Sequence, residues 1–161
     1  MNPTWELDRF DLKILQILSA EGRMPVTELS KKVGLSKTPC QNRLNKLVRN
    51  GAIVGFRAVV NPTVLDRSHI TFVEVKLSDT RESALKEFDQ AARSVSEIEE
   101  CHMIAGGFDY LLKVRSRDIK DYRYVLGSVI SGLPHVANTA THVVMEPIKD
   151  QSEGVAEVEM G

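Results

Sequence analysis

The sequence predicts a two-domain α/β chain of the α+β kind. Three short helices and a β wing occupy residues 1–60, and four strands with two helices occupy 70–150. Three observations carry this. Apolar residues recur at helical spacing up to about residue 50, and strand-like alternation begins after residue 69. Asn61-Pro62 opens a stretch to residue 69 that follows neither period and reads as a hinge. The charge changes sign at the same place.

Asp8 is placed to cap a first helix with Phe10, Ile14, Ile17 and Leu18 on one face, ended at Glu21-Gly22-Arg23. Pro25 suits the first turn of a second helix, whose apolar face is Val26, Leu29 and Val33. Gly34-Leu35 turns the chain, and Ser36 is the expected N-cap of a third helix reaching about Asn50. Because Pro39 lacks an amide hydrogen, the Ser36 hydroxyl is expected to bond the amide of Thr38. On that third helix Cys40, Leu44, Leu47 and Val48 fall within one face. Thr38, Asn42, Asn45, Lys46 and Arg49 fall on the other, with Gln41 and Arg43 at its flanks. Ile53–Val60 reads as a β-hairpin or strand wing carrying Arg57. A short helix, a glycine turn and a polar second helix make a helix-turn-helix, which the first helix and the wing complete.

The net charge of −1 is an average over unlike halves. Residues 1–60 hold ten basic and five acidic residues, and the remainder holds 11 basic and 17 acidic. Between Glu28 and Asp66 lie 37 residues with seven basic groups and no carboxylate. Such a one-sign stretch marks a surface that meets polyanions. Amide side chains can read adenine, and guanidinium groups can read guanine or hold phosphate. The expected double-stranded DNA contacts are Ser36, Lys37, Thr38, Pro39, Gln41, Asn42 and Arg43 at the operator, with Lys46, Arg49 and Arg57 on phosphates.

Past the hinge, Ile70–Leu77 alternates as a strand, and Leu85, Phe88, Ala92 and Val95 form a helical stripe. Ile98–Ala105 and Tyr110–Arg115 read as antiparallel strands joined by a tight turn at Gly106-Gly107. Ile119, Tyr122, Leu126 and Val129 give a second helix, and Val136–Met145 a last strand. The order β-α-β-β-α-β is the ferredoxin-like arrangement. Both helices then cover one sheet face. With no chain left for the other, self-association is the economical cover. Residues 151–161 are left as a frayed tail.

Several chemistries are not expected. No apolar run approaches the 18 residues of a spanning helix, and the first residues lack a signal-peptide pattern, so the expectation is a cytoplasmic protein without membrane partners. Cys40 and Cys101, 61 residues apart, do not suggest a disulfide framework. The four histidines show no metal-ligand spacing, so neither a metal nor another resident cofactor is expected. Cys101 and His102 adjoin on a strand and face opposite sides, which makes a poor nucleophile–base pair. Glu97, Glu99 and Glu100 read as a solvated strand end. No catalytic constellation emerges, and an enzyme is not expected.

Several runs, in this order and spacing, carry a family likeness. The first domain has Leu7-Asp8-x-x-Asp11-x-x-Ile14-Leu15, Glu28-Leu29-Ser30-x-x-Val33-Gly34-Leu35-Ser36-x-Thr38-Pro39-Cys40, and Asn50-Gly51-x-Ile53-x-Gly55-Phe56. The second has Glu100-Cys101-His102, Gly106-x-x-Asp109-Tyr110-Leu111-Leu112-Lys113, Leu133-Pro134-x-Val136, and Thr139-x-Thr141-x-Val143-Val144-Met145-Glu146. The chain resembles the Lrp/AsnC (feast/famine) transcription regulators along its length, most of all their leucine-responsive and proline-catabolism-activating branches.

The resemblance implies a winged helix-turn-helix on DNA and a second domain that forms a homodimer assembling to a tetramer or octamer. It also implies an amino-acid effector (leucine, proline or another amino acid), held by Met103, Gly106, Gly107, Asp109, Thr139, Thr141 and His142. The leucine-responsive branch has an acid where this chain has Gly107, and basic and acidic groups where it has Asn45 and Val48. The competing reading is an amino-acid-binding allosteric module with an N-terminal protein-interaction domain.

Overall fold

The computed structural model describes residues 6–150; the expected tail lies outside the described residues. The chain divides between Val59 and Val60 into two compact units, each with its own core.

The first unit is a three-helix bundle: α1 (Arg9–Ala20), α2 (Val26–Val33) and α3 (Lys37–Arg49). Asp8 caps α1 by accepting from the amides of Phe10 and Asp11, while the Asp11 carboxylate accepts from the Asp8 amide. This reciprocal box satisfies donors that a helix start otherwise leaves open. At the end of α2, Gly34 adopts φ +86°. The Leu35 amide then reaches back to the Ser30 carbonyl, so glycine makes the tight turn into α3. Ile14, Leu18, Met24, Leu29, Val33, Cys40 and Leu47 form the core.

Three expectations for this unit need correction. Ser36 stands at the N-cap of α3, but its hydroxyl makes no capping bond. Val48 is 45% exposed, because only the side of α3 bearing Cys40 and Leu47 meets the other helices. No strand forms over Ile53–Val60. A strand needs a hydrogen-bonded partner, and among its described residues this unit has no other strand to supply one.

The second unit starts with a 3₁₀ turn at Pro62–Leu65, initiated by the Asn61 side chain accepting from the Thr63 amide. Next come β1 (His69–Leu77), α4 (Glu82–Arg93), β2 (Ile98–Met103), β3 (Tyr110–Ser116), α5 (Ile119–Ser128) and β4 (Val136–Val143). The strands form one antiparallel sheet in the order β2-β3-β1-β4, the ferredoxin-like topology. Val73, Val75, Leu77, Leu112 and Val114 pack with Phe88 and Ala92 of α4 and Tyr122 and Val125 of α5.

The connection between β2 and β3 is no tight turn at Gly106-Gly107. The strands stop at Met103 and Tyr110, and the Ile104 amide closes the intervening loop on the Asp109 carbonyl. The sheet face away from the helices also receives some cover from the chain itself. After β4 the Val144 amide bonds the Ile70 carbonyl, and Asp150 reaches Arg115 at 2.8 Å and Lys113 at 3.5 Å. With Glu99 on the same two cations, this network leaves the Arg115 side chain 4% exposed.

Candidate nucleic-acid interface and effector site

Helix α3 carries no acid. Its outward residues Lys37, Thr38, Pro39, Asn42, Asn45, Lys46 and Arg49 are exposed, as is Ser36 before it. The period that buries Cys40 and Leu47 is what turns this row to solvent. Gln41 is half-buried, and its amide donates to Asn45 Oδ1 at 2.8 Å, so the two amides form one surface pair. Arg57 is exposed on the segment after the bundle.

The basic stretch is partly neutralised from outside itself. Lys32 pairs with Glu28 at 3.6 Å and Glu21 at 3.8 Å. Arg43 turns back to the start of α1, where Nη1 lies 2.6 Å from Asp8 Oδ2 and 2.8 Å from Asp11 Oδ1. Its guanidinium carbon sits 5.3 Å from the centre of the Phe10 ring. The Asp11 and Asp8 carboxylates raise the Arg43 pKa, and the Asp11 amide, then Arg43, lower that of Asp8. Sequence reasoning placed Arg43 on DNA and overlooked Asp11. The signal was present: Asp11 shares the apolar stripe of Ile14 and Leu18, and a carboxylate there requires a partner.

The expected effector residues gather only in part. Asp109 closes the β2–β3 loop; its amide bonds the Val75 carbonyl, and Thr139 pairs with Val75 from the other side. The turn and Thr139 therefore share one end of the sheet. The Asp109 carboxylate accepts the Leu77 amide at 2.8 Å and Lys76 Nζ at 3.2 Å. Leu77 sits where the β1–β4 register shifts, so Asp109 takes up an amide beside a ladder irregularity. That amide first, and Lys76 next, lower the Asp109 pKa.

Thr141 lies two pairs further along β4, opposite Val73, its hydroxyl 2.6 Å from Tyr122 on the helix side. His142 occupies the opposite face and meets Glu74 at 3.0 Å. Strand alternation forbids Thr141 and His142 from sharing a face, so one flat site cannot use both. Met103 is exposed at the end of β2, opposite Tyr110. Gly106 and Gly107 are exposed, and a side chain at 107 would meet open space. Among the described residues, no cluster of three metal-ligating side chains occurs, and no helix is long and apolar enough to cross a membrane.

Residues 7–54 match the family model for a winged helix-turn-helix DNA-binding domain, and residues 70–153 match that for an Lrp/AsnC ligand binding domain. The proline dehydrogenase transcriptional activator of Rhizobium radiobacter is 65% identical over 147 residues, covering 91% of this chain and 94% of that protein. The leucine-responsive regulatory protein of Klebsiella pneumoniae is 45% identical over 150 residues, covering 93% and 92%. Among solved structures, a transcriptional regulator from Neisseria meningitidis, crystallised as an L-Met complex, superposes with a TM-score of 0.83. It is 28% identical, with 89% of this chain and 93% of that one covered. These relatives are named as a transcriptional activator, a regulatory protein and a transcriptional regulator, and not as enzymes. A three-helix bundle with an acid-free outer helix, joined to a ferredoxin-like domain, thus has close kin throughout its length, and the chain belongs to the Lrp/AsnC family of DNA-binding transcription regulators.

Proposed function

We propose that the chain regulates transcription as a homodimer whose α3 helices enter successive major grooves, and that an amino acid tunes its assembly or DNA affinity. The observation that carries the DNA reading is the acid-free row of donors on α3. Asn42, Thr38, Ser36 and Gln41 supply groups suited to base edges. Lys37, Lys46, Arg49 and Arg57 supply cations suited to phosphates, and Pro39 sits among them at the start of the helix. A two-fold dimer sets the two helices about 34 Å apart. The exposed apolar side chains of Val54, Phe56, Val59 and Val60, on a segment that forms no strand and has no strand partner among the described residues, support pairing with a second copy. Assembly to tetramers or octamers and a cytoplasmic location follow the family pattern.

The effector reading rests on the loop at Gly106, Gly107 and Asp109 with Thr139 beside it, and on relatives named for leucine or crystallised with L-Met. Loop amides and threonine hydroxyls suit a zwitterion. Met103 offers an apolar edge for the effector's side chain. Thr141 and His142, on opposite faces, serve it only if neighbouring copies complete the site. An effector shifts the equilibrium solely through different affinities for the assembly states.

Gel-shift titrations of two variants test the DNA reading. Asn42→Ala should relax sequence choice at one operator position, a loss of about 1–3 kcal/mol of discrimination. Lys46→Ala should weaken operator and random duplex alike and reduce the salt slope by about one. Identical behaviour of both variants on both duplexes contradicts these roles.

A further inference from the structure

Arg43 sits in the middle of α3 between Asn42 and Leu44, with Lys46 one turn on, yet its charge is spent inside the bundle. Asp11 is the inner partner, with its side chain 7% exposed, and its second oxygen closes the α1 capping box on the Asp8 amide. One guanidinium therefore joins the middle of α3 to the first turn of α1 through two carboxylates and the Phe10 ring. The apolar contacts among Ile14, Leu18, Cys40 and Leu47 hold the helices together but are non-directional and set the rotation of α3 less finely than a directional bond. One guanidinium nitrogen, Nη1, shared between the Asp8 and Asp11 carboxylates, with the guanidinium beside the Phe10 ring, is directional and does resist rotation.

We propose that Arg43 is a positioning residue for operator recognition: it fixes the rotation of α3 against α1, so that its neighbours meet base edges in register. Hydrogen bonds to base edges decay within a fraction of an ångström, whereas attraction to phosphate falls slowly with distance. Loss of the clamp therefore erodes discrimination and leaves general DNA affinity largely intact. Electrostatics alone predicts the opposite for the other side of the pair. Asp8 and Asp11 line, with Glu6, Arg43, Asn42 and Lys46, a cavity of about 350 Å³ beside the outward face of α3. Removing a negative charge there should tighten binding to any DNA.

The inference rests on α3 being the DNA-reading helix, and the experiment separates the two claims. Operator and random-duplex affinities of the full-length protein are measured across a salt series for wild type, Arg43→Lys, Asp11→Asn and the double variant, at a temperature where melting curves show each folded. Arg43→Lys keeps the charge and loses the planar guanidinium that reaches both carboxylates beside Phe10; Asp11→Asn removes the inner carboxylate without changing any residue of α3. Each should lower the operator-to-random ratio about tenfold. The double variant should lose little more, because the residues act as a unit, and the salt slopes should stay at the wild-type value.

A companion Arg43→Met variant whose slope falls by about one would make Arg43 a phosphate contact and overturn the proposal. Ratios within twofold of wild type in the folded single variants would overturn it too. A wild type that does not discriminate operator from random duplex would instead sink the α3 reading itself.

Discussion

At the scale of single residues, Asp109 shows how a polar group in a loop can belong to the scaffold as much as to a ligand. Its carboxylate holds the Leu77 amide and Lys76, so any effector role is exercised by a group already bonded within the sheet. Asp109→Ala strands the Leu77 amide and should cost about 1–3 kcal/mol in urea unfolding near neutral pH. The Asp109 pKa is lower folded than unfolded, so its contribution is present above the unfolded value and fades as pH falls toward the folded one. The gap between wild type and Asp109→Ala should therefore shrink in acid; a gap that does not change with pH would contradict this role. Residue-level chemistry was legible where it was local: Asp8 as a cap needed only its own helix. Arg43 was not, because its inner partner lies 32 positions away and only folding brings them together.

At the scale of elements, periodicity found the five α-helices and four strands of the described residues, and three of the misses share a cause. The wing, the tight turn at Gly106-Gly107 and the far end of the last strand all depend on a hydrogen-bonded partner, which a periodic pattern does not name. Val54, Phe56, Val59 and Val60 have strand composition without a ladder in their own unit. Alternation alone sets His142 and Thr141 on opposite faces of the sheet, as the Glu74 and Tyr122 contacts show. The turn into α3 was readable because Gly34 carries its own signal. Gly34 has φ +86°, and a β-carbon there would meet nothing within 4 Å, so Gly34→Ala brings backbone strain and no clash. It should destabilise the first unit by roughly 1–2 kcal/mol in thermal or urea melts. A neutral outcome would mean that the left-handed cap does not set the approach of α3.

At the scale of the whole molecule, the near-neutral net charge conceals a division of labour. The basic surplus before the hinge belongs to the unit bearing α3, and even there Lys32 and Arg43 are answered by acids, so Lys37, Lys46 and Arg49 line the outward helix. Residues 61–150, which hold the ferredoxin-like sheet where self-association and effector binding are proposed, carry 14 acids against 11 bases. Under the proposed function this division should orient the molecule on a duplex before any base is read. The most direct measurement is operator affinity as a function of salt. Lys37, Lys46, Arg49 and Arg57 on both protomers of a dimer give a log–log slope of about −7, and roughly a 10³–10⁵-fold loss between 50 and 200 mM salt. A slope near zero, or no binding to duplex at low salt, would contradict the account.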